Sequence, residues 1–534
     1  MTVSKMTWRP QYRTSKFRHV FGKAATKESC YDGVPITRSV QDNNFCAVNP
    51  RFLAVITECA GGGAFLVLSV HHTGKVDPHH PKVSGHRGNV LDVKWNPFND
   101  YCIASCSEDT TVKVWEIPPH GVLKSLTVPW KELQGHSRRV GLIEWHPTAN
   151  NILLSTAYDY QVMIWNLDCS EQVIKNPVRT INLHTDVVLS MSFNTDGSLL
   201  ATTCKDRKLR LMDLRTGNLL QEGNSKTHKA TKVLMLGNMK MLLTTGTSRW
   251  NHRQISLWDQ DDLSTPLTQD NLDGSSGVLF PFYDPDTHML YIAGKGDGNI
   301  RYYEISTEKP YIHYLTDYRS NLPQKGLGMM PKRGLDVSSC EVFRFYKLVT
   351  VKSFIEPLSM IVPRRSESYQ EDIYPMTASN KPALTAEEWL SGINKGPMLM
   401  SLKPGSQESE SYQEMNKGMG NSLDTRRSQS RPGALQLAYI QDHLGTKDGK
   451  EDGGQTEDDM SRRTPVSNGE DLSLCSPPKT ENELRLKFHK QQEEIRRLRE
   501  LLNQRDVRVK QLELEIKNIK NSQSQSQSSL TDLP

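Results

Sequence analysis

Histidine, serine and aspartate occur at spacings that would suit nucleophilic catalysis. His86, Ser105 and Asp109 supply the base, the hydroxyl and the carboxylate that a serine hydrolase uses. The imidazole could remove the hydroxyl proton, and the carboxylate could hold the imidazole in one tautomer. The same residues, with Trp115 six positions after the aspartate, could instead form a structural network.

The same four residue types occur again about 50 residues downstream, as His136, Ser155, Asp159 and Trp165. The interval from histidine to aspartate is 23 in both copies, and serine precedes aspartate by four. An active site is not duplicated in the same register, so the structural reading is favoured. In that reading indole donates to hydroxyl, hydroxyl to imidazole and imidazole to carboxylate. An unpaired buried polar group would cost about 1–3 kcal/mol.

Each copy contains three runs in which apolar and polar residues alternate, separated by polar turns. In the first copy the runs are Val90–Trp95, 103–105 and 112–117. A period of two predicts β-strands, so the network side chains would hold the strands of a four-stranded blade together. This repeat resembles that of the WD-repeat β-propeller family.

Weaker copies follow once the spacing is known. They comprise His184 with Thr202, Asp206 and Met212, then His228 with Trp258 after an insertion at 248–253, and finally Asp297 with Tyr303. The leading histidines step by 50, 48 and 44 residues, a period in the propeller range. Five blades are visible by this spacing, and the flanking sequence must supply the others.

Composition excludes several other classes of protein. The net charge of +5 over 534 residues gives no strong case for nucleic-acid binding. Nine cysteines without a CxxC pair predict a reduced, intracellular chain with no zinc site. The first twenty residues are basic without an apolar centre, so we expect no signal peptide. No apolar run reaches the roughly 18–20 residues of a transmembrane segment.

Two further motifs could bind ligands. Gly294, Gly296 and Gly298 are spaced as in a phosphate loop, but turn glycines of a blade hairpin are the favoured reading. Histidine pairs at 71–72 and 79–80 lie near Asp77, where an exposed polar loop is favoured over a metal site. We therefore expect no cofactor, no metal and no catalytic residues.

The pattern of the N-terminal region predicts two parts of a propeller, a closing strand and a first blade. Residues 15–22 alternate apolar and basic side chains, as a strand closing the last blade would. Residues 45–48, 52–57 and 64–70 predict an atypical first blade without the histidine network.

Several stretches outside the generic repeat resemble the coronin family. They are residues 15–22, 44–50, 61–65, 294–303, 331–336 and 364–375, within a continuous resemblance from residue 8 to about 395. The resemblance returns in the C-terminal helix, and the longer tail and the start Met-Thr-Val-Ser-Lys-Met are most similar to the type 2 short coronins. The resemblance implies a seven-bladed, all-β propeller with a C-terminal extension packed on one face. It would draw blades six and seven from the region after Tyr311, with strands at 342–346 and 358–362.

The sequence is divided on these grounds into five segments. We expect a propeller at 1–363, an extension at 364–396, a disordered linker at 397–479, a coiled coil at 480–520 and a disordered tail at 521–534. The linker is rich in Ser, Gly, Gln, Glu, Asp and Lys, and its apolar content cannot form a core.

The C-terminal segment carries a heptad repeat after a capping box at Thr480 and Glu483. Arg508 and Glu513 would pair between neighbouring helices and resemble a parallel-trimer motif. All the predicted contacts between g and e positions are attractive, so we expect a parallel homo-oligomer, with a trimer favoured over a tetramer or dimer. Its apolar positions are Leu484, Phe488, Ile495, Leu498, Leu502, Val509, Leu512, Ile516 and Ile519, interrupted by Gln491 and Arg505.

The coronin resemblance implies a non-enzymatic, actin-filament-binding regulator or scaffold in the cytoplasm and the actin cytoskeleton. Further partners would be the branched-filament nucleation machinery or adhesion and cytoskeletal proteins. A proline at position 35, where many relatives carry a basic residue, departs from the family. The alternative is an adaptor of adhesion, trafficking or nuclear complexes with little direct actin binding. Candidate partner residues are Lys16, Arg18, Lys23, Arg138, Arg139, Lys332, Arg333, Arg364 and Arg365.

Overall fold

A computed structural model of the chain describes residues 13–405, except 60–62, 226–231, 276 and 367, together with six positions between 493 and 511. The chain divides into two compact units, Met1–Arg427 and Ser428–Pro534. The first unit is nearly all β and forms a ring of seven antiparallel blades.

The blades follow one another along the chain, and within each blade the strands run in order from the inner to the outer one. Blade 1 contains Cys46–Val48, Phe52–Ile56, Ala64–Ser69 and Val83–Ser84; blade 2 contains Val90–Trp95, Cys102–Ser107, Thr111–Glu116 and Lys131–Gln134, with Val173–Ile174 added in parallel. Blade 3 contains Val140–Trp145, Ile152–Ala157, Val162–Asn166 and Arg179–Ile181; blade 4 contains Val188–Phe193, Leu199–Cys204, Lys208–Asp213 and Leu219–Asn224.

The second half of the ring has the same plan. Blade 5 contains Lys232–Met235, Met241–Thr247, Arg253–Asp259 and Thr268–Asp273; blade 6 contains Leu279–Asp284, Met289–Gly294, Ile300–Ile305 and Ile312–Tyr318. Blade 7 contains Gly326–Met329, Glu341–Val349 and Phe354–Ile361, followed by the N-terminal strands Phe21–Ala24 and Tyr31–Asp32, the latter pairing with Gly74–Lys75. Short 3-10 helices lie at Lys27–Ser29, Gly237–Met239, Lys332–Gly334, Val337–Ser339 and Thr350–Lys352.

The blade count corrects one expectation about the second half of the chain. The region after Tyr311 supplies only the outer strand of blade 6 and the three inner strands of blade 7, whose outer strands come from the N terminus. The atypical segment from residue 46 to 84 completes the ring as blade 1. The structure thus confirms the predicted atypical first blade, whose strands were expected at 45–48, 52–57 and 64–70.

The N terminus closes the ring with a strand that only partly overlaps the predicted one at 15–22. Phe21–Ala24 pairs with Phe354–Ile361, whereas residues 16–19 form a turn. Phe17 and Val20 are buried between blades 6 and 7. Because these two apolar residues are three positions apart, their spacing suits a turn that packs on a core better than an alternating strand.

Neighbouring blades are joined by tryptophans at the ends of inner strands. The indole of Trp95 donates to the carbonyl of Ala47 at 3.1 Å, and that of Trp145 donates to the carbonyl of Lys94 at 2.9 Å. Each bond links one inner strand to the inner strand before it, so the ring is held at its centre by hydrogen bonds as well as by apolar packing.

Two faces of the ring are distinguished here. The upper face carries the hairpins between the second and third strands of each blade, and the lower face carries the loops between the first and second strands. The chain after blade 7 lies on the lower face, where the bridge from Ala149 to Leu384 reaches blade 3. The short helix Ala386–Leu390 begins with a capping box formed by Thr385 and Glu388.

Trp389 attaches this extension to the ring. Its ring is buried 4.9 Å from that of His146, and the guanidinium of Arg215 stacks on it at 5.1 Å. Beyond the helix, Leu399–Met400 pairs with Thr377–Ala378. The paired extension therefore continues past the expected boundary at residue 396.

The second unit is described at six positions only. Glu493, Arg496, Arg497, Glu500, Gln504 and Gln511 are helical and exposed. All six fall on b, c or f positions of the predicted heptad, where exposure is expected in a coiled coil. The predicted core positions, together with Arg508 and Glu513, lie outside the described residues, as does most of the predicted linker.

Candidate partner surfaces

The blade 2 network follows the order of donors and acceptors that its spacing suggests. The indole of Trp115 donates to Ser105 Oγ at 2.9 Å, and this hydroxyl lies 2.8 Å from His86 Nε2. His86 Nδ1 lies 2.9 Å from Asp109 Oδ2. Because the carboxylate can only accept, Nδ1 carries the proton and Nε2 accepts from serine.

The blade 3 network repeats this geometry. Trp165 donates to Ser155 at 2.8 Å, His136 Nε2 lies 2.8 Å from the same hydroxyl, and His136 Nδ1 lies 2.9 Å from Asp159 Oδ2. Burial opposes ionisation of Asp159, but its hydrogen bonds with the histidine lower the pKa of this carboxyl below its usual value.

These serines cannot serve as nucleophiles in the folded protein. Ser105 and Ser155 are both fully buried, and each hydroxyl is shared between an imidazole and an indole. A substrate carbonyl would have no approach to either oxygen. The networks pin the strands of blades 2 and 3.

Blade 4 departs from the pattern. His184 Nε2 lies 2.9 Å from Thr202 Oγ1, but Asp206 pairs with the buried Arg210 at 2.6 Å instead of with the histidine. Burial and the nearby Arg210 lower the pKa of His184 to about 4. Met212 fills the place of the tryptophan and is buried. Sequence spacing alone could not reveal the competing arginine.

Blades 5 and 6 share a second arginine-centred network. Trp258 donates to Thr244 at 2.9 Å, whereas His228 lies outside the described residues. Asp297 pairs with the buried Arg253 at 2.6 Å, and Arg253 also holds Asp273 through two bonds of 2.7 Å. Asp297 thus joins blade 6 to blade 5.

The glycines of blade 6 lie in its upper hairpin. A Cβ on Gly294 would meet Asp297 Oδ2 at 2.0 Å, and a Cβ on Gly298 would meet the carbonyl of Ser320 at 1.7 Å. Gly296 has a φ of +83°. Close packing and turn geometry account for these glycines without a phosphate ligand.

A segment at residues 38–44, called here the strap, crosses the upper face over the centre of the ring. Lys295 of blade 6 donates to the carbonyls of Val40 at 2.8 Å and Gln41 at 2.7 Å, and to Asp42 at 2.8 Å. Gln41 donates to Tyr158 of blade 3 at 3.2 Å. Blades 3 and 6 stand on opposite sides of the ring, so a segment that contacts both must cross its axis.

Below the strap is a channel with a cavity of about 480 Å³. Lys94 donates to Glu144 at 2.7 Å within it. Lys232 donates to the carbonyl of Leu189 at 3.2 Å, and burial lowers its pKa to about 8. Burial also raises the pKa of Asp92, which lines the channel, to about 6.

The predicted basic pair at 332–333 is largely buried on the lower face. Lys332 pairs with Asp284 at 2.7 Å and Asp286 at 3.2 Å, and Arg333 pairs with Asp100. These internal ion pairs leave little of either cation for a partner, so the structure assigns the pair a role in closing the ring.

The other predicted cations comprise two separate groups and one isolated lysine. Arg138 and Arg139 are exposed on the upper face, where Arg139 stacks 3.9 Å from the ring of Tyr158. Lys23 is exposed on the outer edge of blade 7.

The second group lies where the extension leaves blade 7. Lys16 donates to the carbonyl of Asp372 at 3.1 Å, and Arg364 pairs with the carboxylate of Asp372 at 2.7 Å. Arg18 and Arg365, which lie close to Lys16 and Arg364 in the sequence, are exposed. The structure therefore does not bring the predicted residues into one patch. Lys295 and Arg253, which organise the upper face, were missed because they carry no repeat spacing.

None of the helices in the described segments is long and apolar enough to cross a membrane. Across the same segments, no group of three or more His, Cys, Asp or Glu side chains is placed to hold a metal ion. His80 of the predicted histidine loop lies 3.3 Å from the carbonyl of Val67.

Comparison with family models agrees with the repeat structure. Residues 79–116, 127–166 and 175–213 match the WD domain, G-beta repeat, and residues 355–397 match a type of WD40 repeat. Residues 10–75 match a domain of unknown function, DUF1899. The first match covers the blades that carry the histidine networks.

Similar proteins extend the comparison to almost the whole chain. Coronin-2A of Homo sapiens is 64% identical over 96% of this chain and 99% of its own length, and Coronin-2B of Homo sapiens is 60% identical over 98% and 99%. The crystal structure of the WD40 domain from Toxoplasma gondii coronin is 28% identical, covers 73% of this chain and 98% of its own, and has a TM-score of 0.67. The chain belongs to the coronin family.

Proposed function

We propose that this chain binds the side of actin filaments through its propeller and regulates the cytoskeleton without catalysing a reaction. The observation that carries the proposal is the relationship to coronins over almost the full length of the chain. The resemblance of residues outside the generic repeat, such as 44–50 and 331–336, supports it independently of the propeller fold.

Exposed cations of the upper face support an electrostatic contact with the filament. Arg138 and Arg87 are exposed beside the strap, and neither has an ion pair among the residues that the structure describes. Charges of this kind speed encounter with an acidic surface and lose their effect as salt is added. Pro35, in place of a basic residue, shifts the contact toward these other loops.

We further propose that the C-terminal helix joins several propellers. The predicted g and e residues are oppositely charged, including Arg508 and Glu513, and the six positions of this segment that the structure describes are helical. Tethered propellers could gain about 10²–10⁴ in apparent affinity without new contacts, provided that two of them reach the filament together.

The proposed domain division follows from both arguments. The propeller would take residues 1–363, the extension would continue to about 405, and a spacer of more than 70 residues would lead to the coiled coil at 480–520. A spacer of this length would let neighbouring propellers reach separate filament subunits. The resulting particle would act in the cytoplasm, on the actin cytoskeleton.

Filament co-sedimentation tests the proposal, with light scattering to count the chains. The intact chain should pellet with filaments and form a stable oligomer, and a chain ending at Pro478 should be monomeric and pellet about 10²-fold less tightly. Pelleting of neither chain would reject the filament proposal and favour the adaptor alternative.

A charge exchange provides the matched control for oligomerisation. Arg508→Glu alone should weaken the oligomer because it places like charges opposite each other, and Arg508→Glu with Glu513→Arg should restore it. If the single and double variants dissociate equally, the parallel arrangement of g and e residues is wrong.

A further inference from the structure

The upper hairpin of blade 5 presents a tryptophan to solvent. Trp250 lies between Met241–Thr247 and Arg253–Asp259, and its side chain is 81% exposed. The other described tryptophans are buried or half-buried. An indole left in water forgoes the apolar burial that the other described tryptophans gain, and it keeps a large apolar face available for a partner.

The hairpin that carries Trp250 is rigidly hydrogen-bonded. The backbone N–H of Ser248 donates to the carbonyl of His252 at 2.7 Å, and that of Asn251 donates to the carbonyl of Ser248 at 3.1 Å. Ser248 Oγ also accepts from the N–H groups of Trp250 at 3.2 Å and His252 at 3.1 Å. The indole is therefore held outward by a preformed turn, which lowers the entropy cost of binding through it.

Charges around this hairpin are unbalanced toward the positive. Asp206 pairs with Arg210 at 2.6 Å and Asp297 pairs with Arg253 at 2.6 Å, whereas Asp186 beside the blade 4 hairpin is half-buried and accepts from the N–H of Val187. Asp273 is likewise held by Arg253 at 2.7 Å. The buried arginines thus remove negative charge from the surface.

The cations on the same upper face remain exposed to solvent. Lys205 and Arg207 form the exposed tip of the blade 4 hairpin, and Arg249 is exposed next to Trp250. None of these three has an ion pair among the described residues. An exposed aromatic beside unpaired cations suits an acidic protein surface that contains an apolar depression.

We propose that Trp250, flanked by Arg249 and by the Lys205 and Arg207 hairpin, is the anchor through which the propeller contacts the filament. This inference rests on the proposed function and specifies its surface. The indole supplies the buried apolar contact, and the three cations orient the approach. Tryptophan and arginine are the residue types most often found at such energetic centres.

Co-sedimentation of the full-length chain over a range of filament and salt concentrations tests the anchor. Trp250→Ala should raise the dissociation constant at least about 30-fold, which is the fold-change of a typical energetic centre. Trp250→Phe should recover part of the affinity. Since the side chain is exposed, the thermal midpoint of unfolding should stay unchanged.

The charged residues are tested separately by Lys205→Glu with Arg207→Glu. This variant should bind more weakly at low salt and show a shallower dependence on salt than the natural chain.

Val351→Ala is the matched control for Trp250→Ala, because Val351 is a comparably exposed apolar residue of the blade 7 upper hairpin, 77% exposed. It should bind as the natural chain does.

The outcomes separate the two claims. If the natural chain pellets and Trp250→Ala pellets equally well, the anchor is wrong and the proposed function stands. If the natural chain itself fails to pellet, the proposed function and the anchor are both rejected. Equal loss in Val351→Ala and Trp250→Ala would likewise overturn the assignment of a specific anchor.

Discussion

Arg333 in blade 7 donates from Nη1 to Asp100 Oδ2 in blade 2 at 2.7 Å, although the two residues are 233 positions apart. Its neighbour Lys332 holds Asp284 of blade 6 at 2.7 Å. Two adjacent cations therefore connect blades on either side of the joint between the first and last blades. This lower clasp supplements the strand pairing of Phe21–Ala24 at the outer edge.

Breaking the clasp from one side should destabilise the propeller strongly. Arg333→Met leaves the buried Asp100 without its guanidinium partner, and removal of one member of a buried ion pair typically costs about 3–5 kcal/mol. Combining it with Asp100→Leu should cost clearly less than the sum of the two single changes. Urea unfolding of the four proteins measures this coupling, and simple additivity would contradict it.

The two complete histidine networks should contribute independently to stability. Ser105→Ala and Ser155→Ala each leave an indole and an imidazole without their shared partner, at a cost of about 1–3 kcal/mol. Because the serines lie in different blades, the costs should add in the double variant. Thermal unfolding provides the measurement. Ser137→Ala, at an exposed serine next to His136, is the control and should change little.

The blade 6 hairpin should reject a methyl group at Gly298. A Cβ there would meet the carbonyl of Ser320 at 1.7 Å, whereas a Cβ at Gly274 would meet nothing within 4 Å. Gly298→Ala should therefore lower stability by about 1–3 kcal/mol, the usual cost of overpacking, and Gly274→Ala should not. Equal unfolding midpoints for the two variants would show that the hairpin moves freely to accommodate the methyl group.

Acid should destabilise the ring through two buried histidines. Burial holds the pKa of both His146 and His184 at about 4, against 6.5 in the unfolded chain. His146 lies near the guanidinium of Arg215 and hydrogen-bonds with the carbonyl of Gly197. His184 lies near the guanidinium of Arg210. Both histidines are neutral when folded, so the unfolded chain binds more protons between pH 6.5 and 4.

The stabilisation is therefore fully present above pH 6.5 and decreases as the pH falls toward 4, by about 2 kcal/mol per histidine at pH 5. Unfolding midpoints measured from pH 7.5 to 5 should decrease, and His184→Gln should make the decrease shallower. Substitution of the exposed His79 by Gln is the control. An unchanged slope in His184→Gln would exclude this histidine as a cause.

The strap should limit access to the channel. Lys295→Met removes the ammonium that donates to Val40, Gln41 and Asp42, so the strap should open more often. The amine of Lys232, whose pKa is lowered to about 8, would then react faster with an acylating reagent. We expect about a tenfold increase, the equivalent of losing one charged hydrogen bond.

Peptide mass spectrometry would follow this labelling, with the exposed Lys205 as the internal reference in the same sample. The Lys205 rate should be equal in the natural chain and in Lys295→Met. If the Lys232 rate is also equal, the strap does not control entry to the channel.

The propeller and its two complete networks could be predicted from local patterns in the sequence. His86, Ser105 and Asp109 meet because they occupy adjacent strands and turns of one blade, where local spacing sets the register. Blade 1 lacks these residues, and its strands were predicted instead from apolar runs beside the glycines at 61–63. The number of blades, seven, and the presence of a C-terminal extension were predicted from the resemblance to coronins.

Which charges are available to a partner depends on the folded ring and could not be predicted from the order of residues. Lys332 and Arg333 look like surface cations in sequence, yet ring closure brings them to Asp284 and Asp100. Likewise Lys295 is held by the strap, 253 positions away at Asp42. Coulombic pairing depends on distance in space, and a closed ring places residues more than 200 positions apart within hydrogen-bond reach, which no local pattern can express.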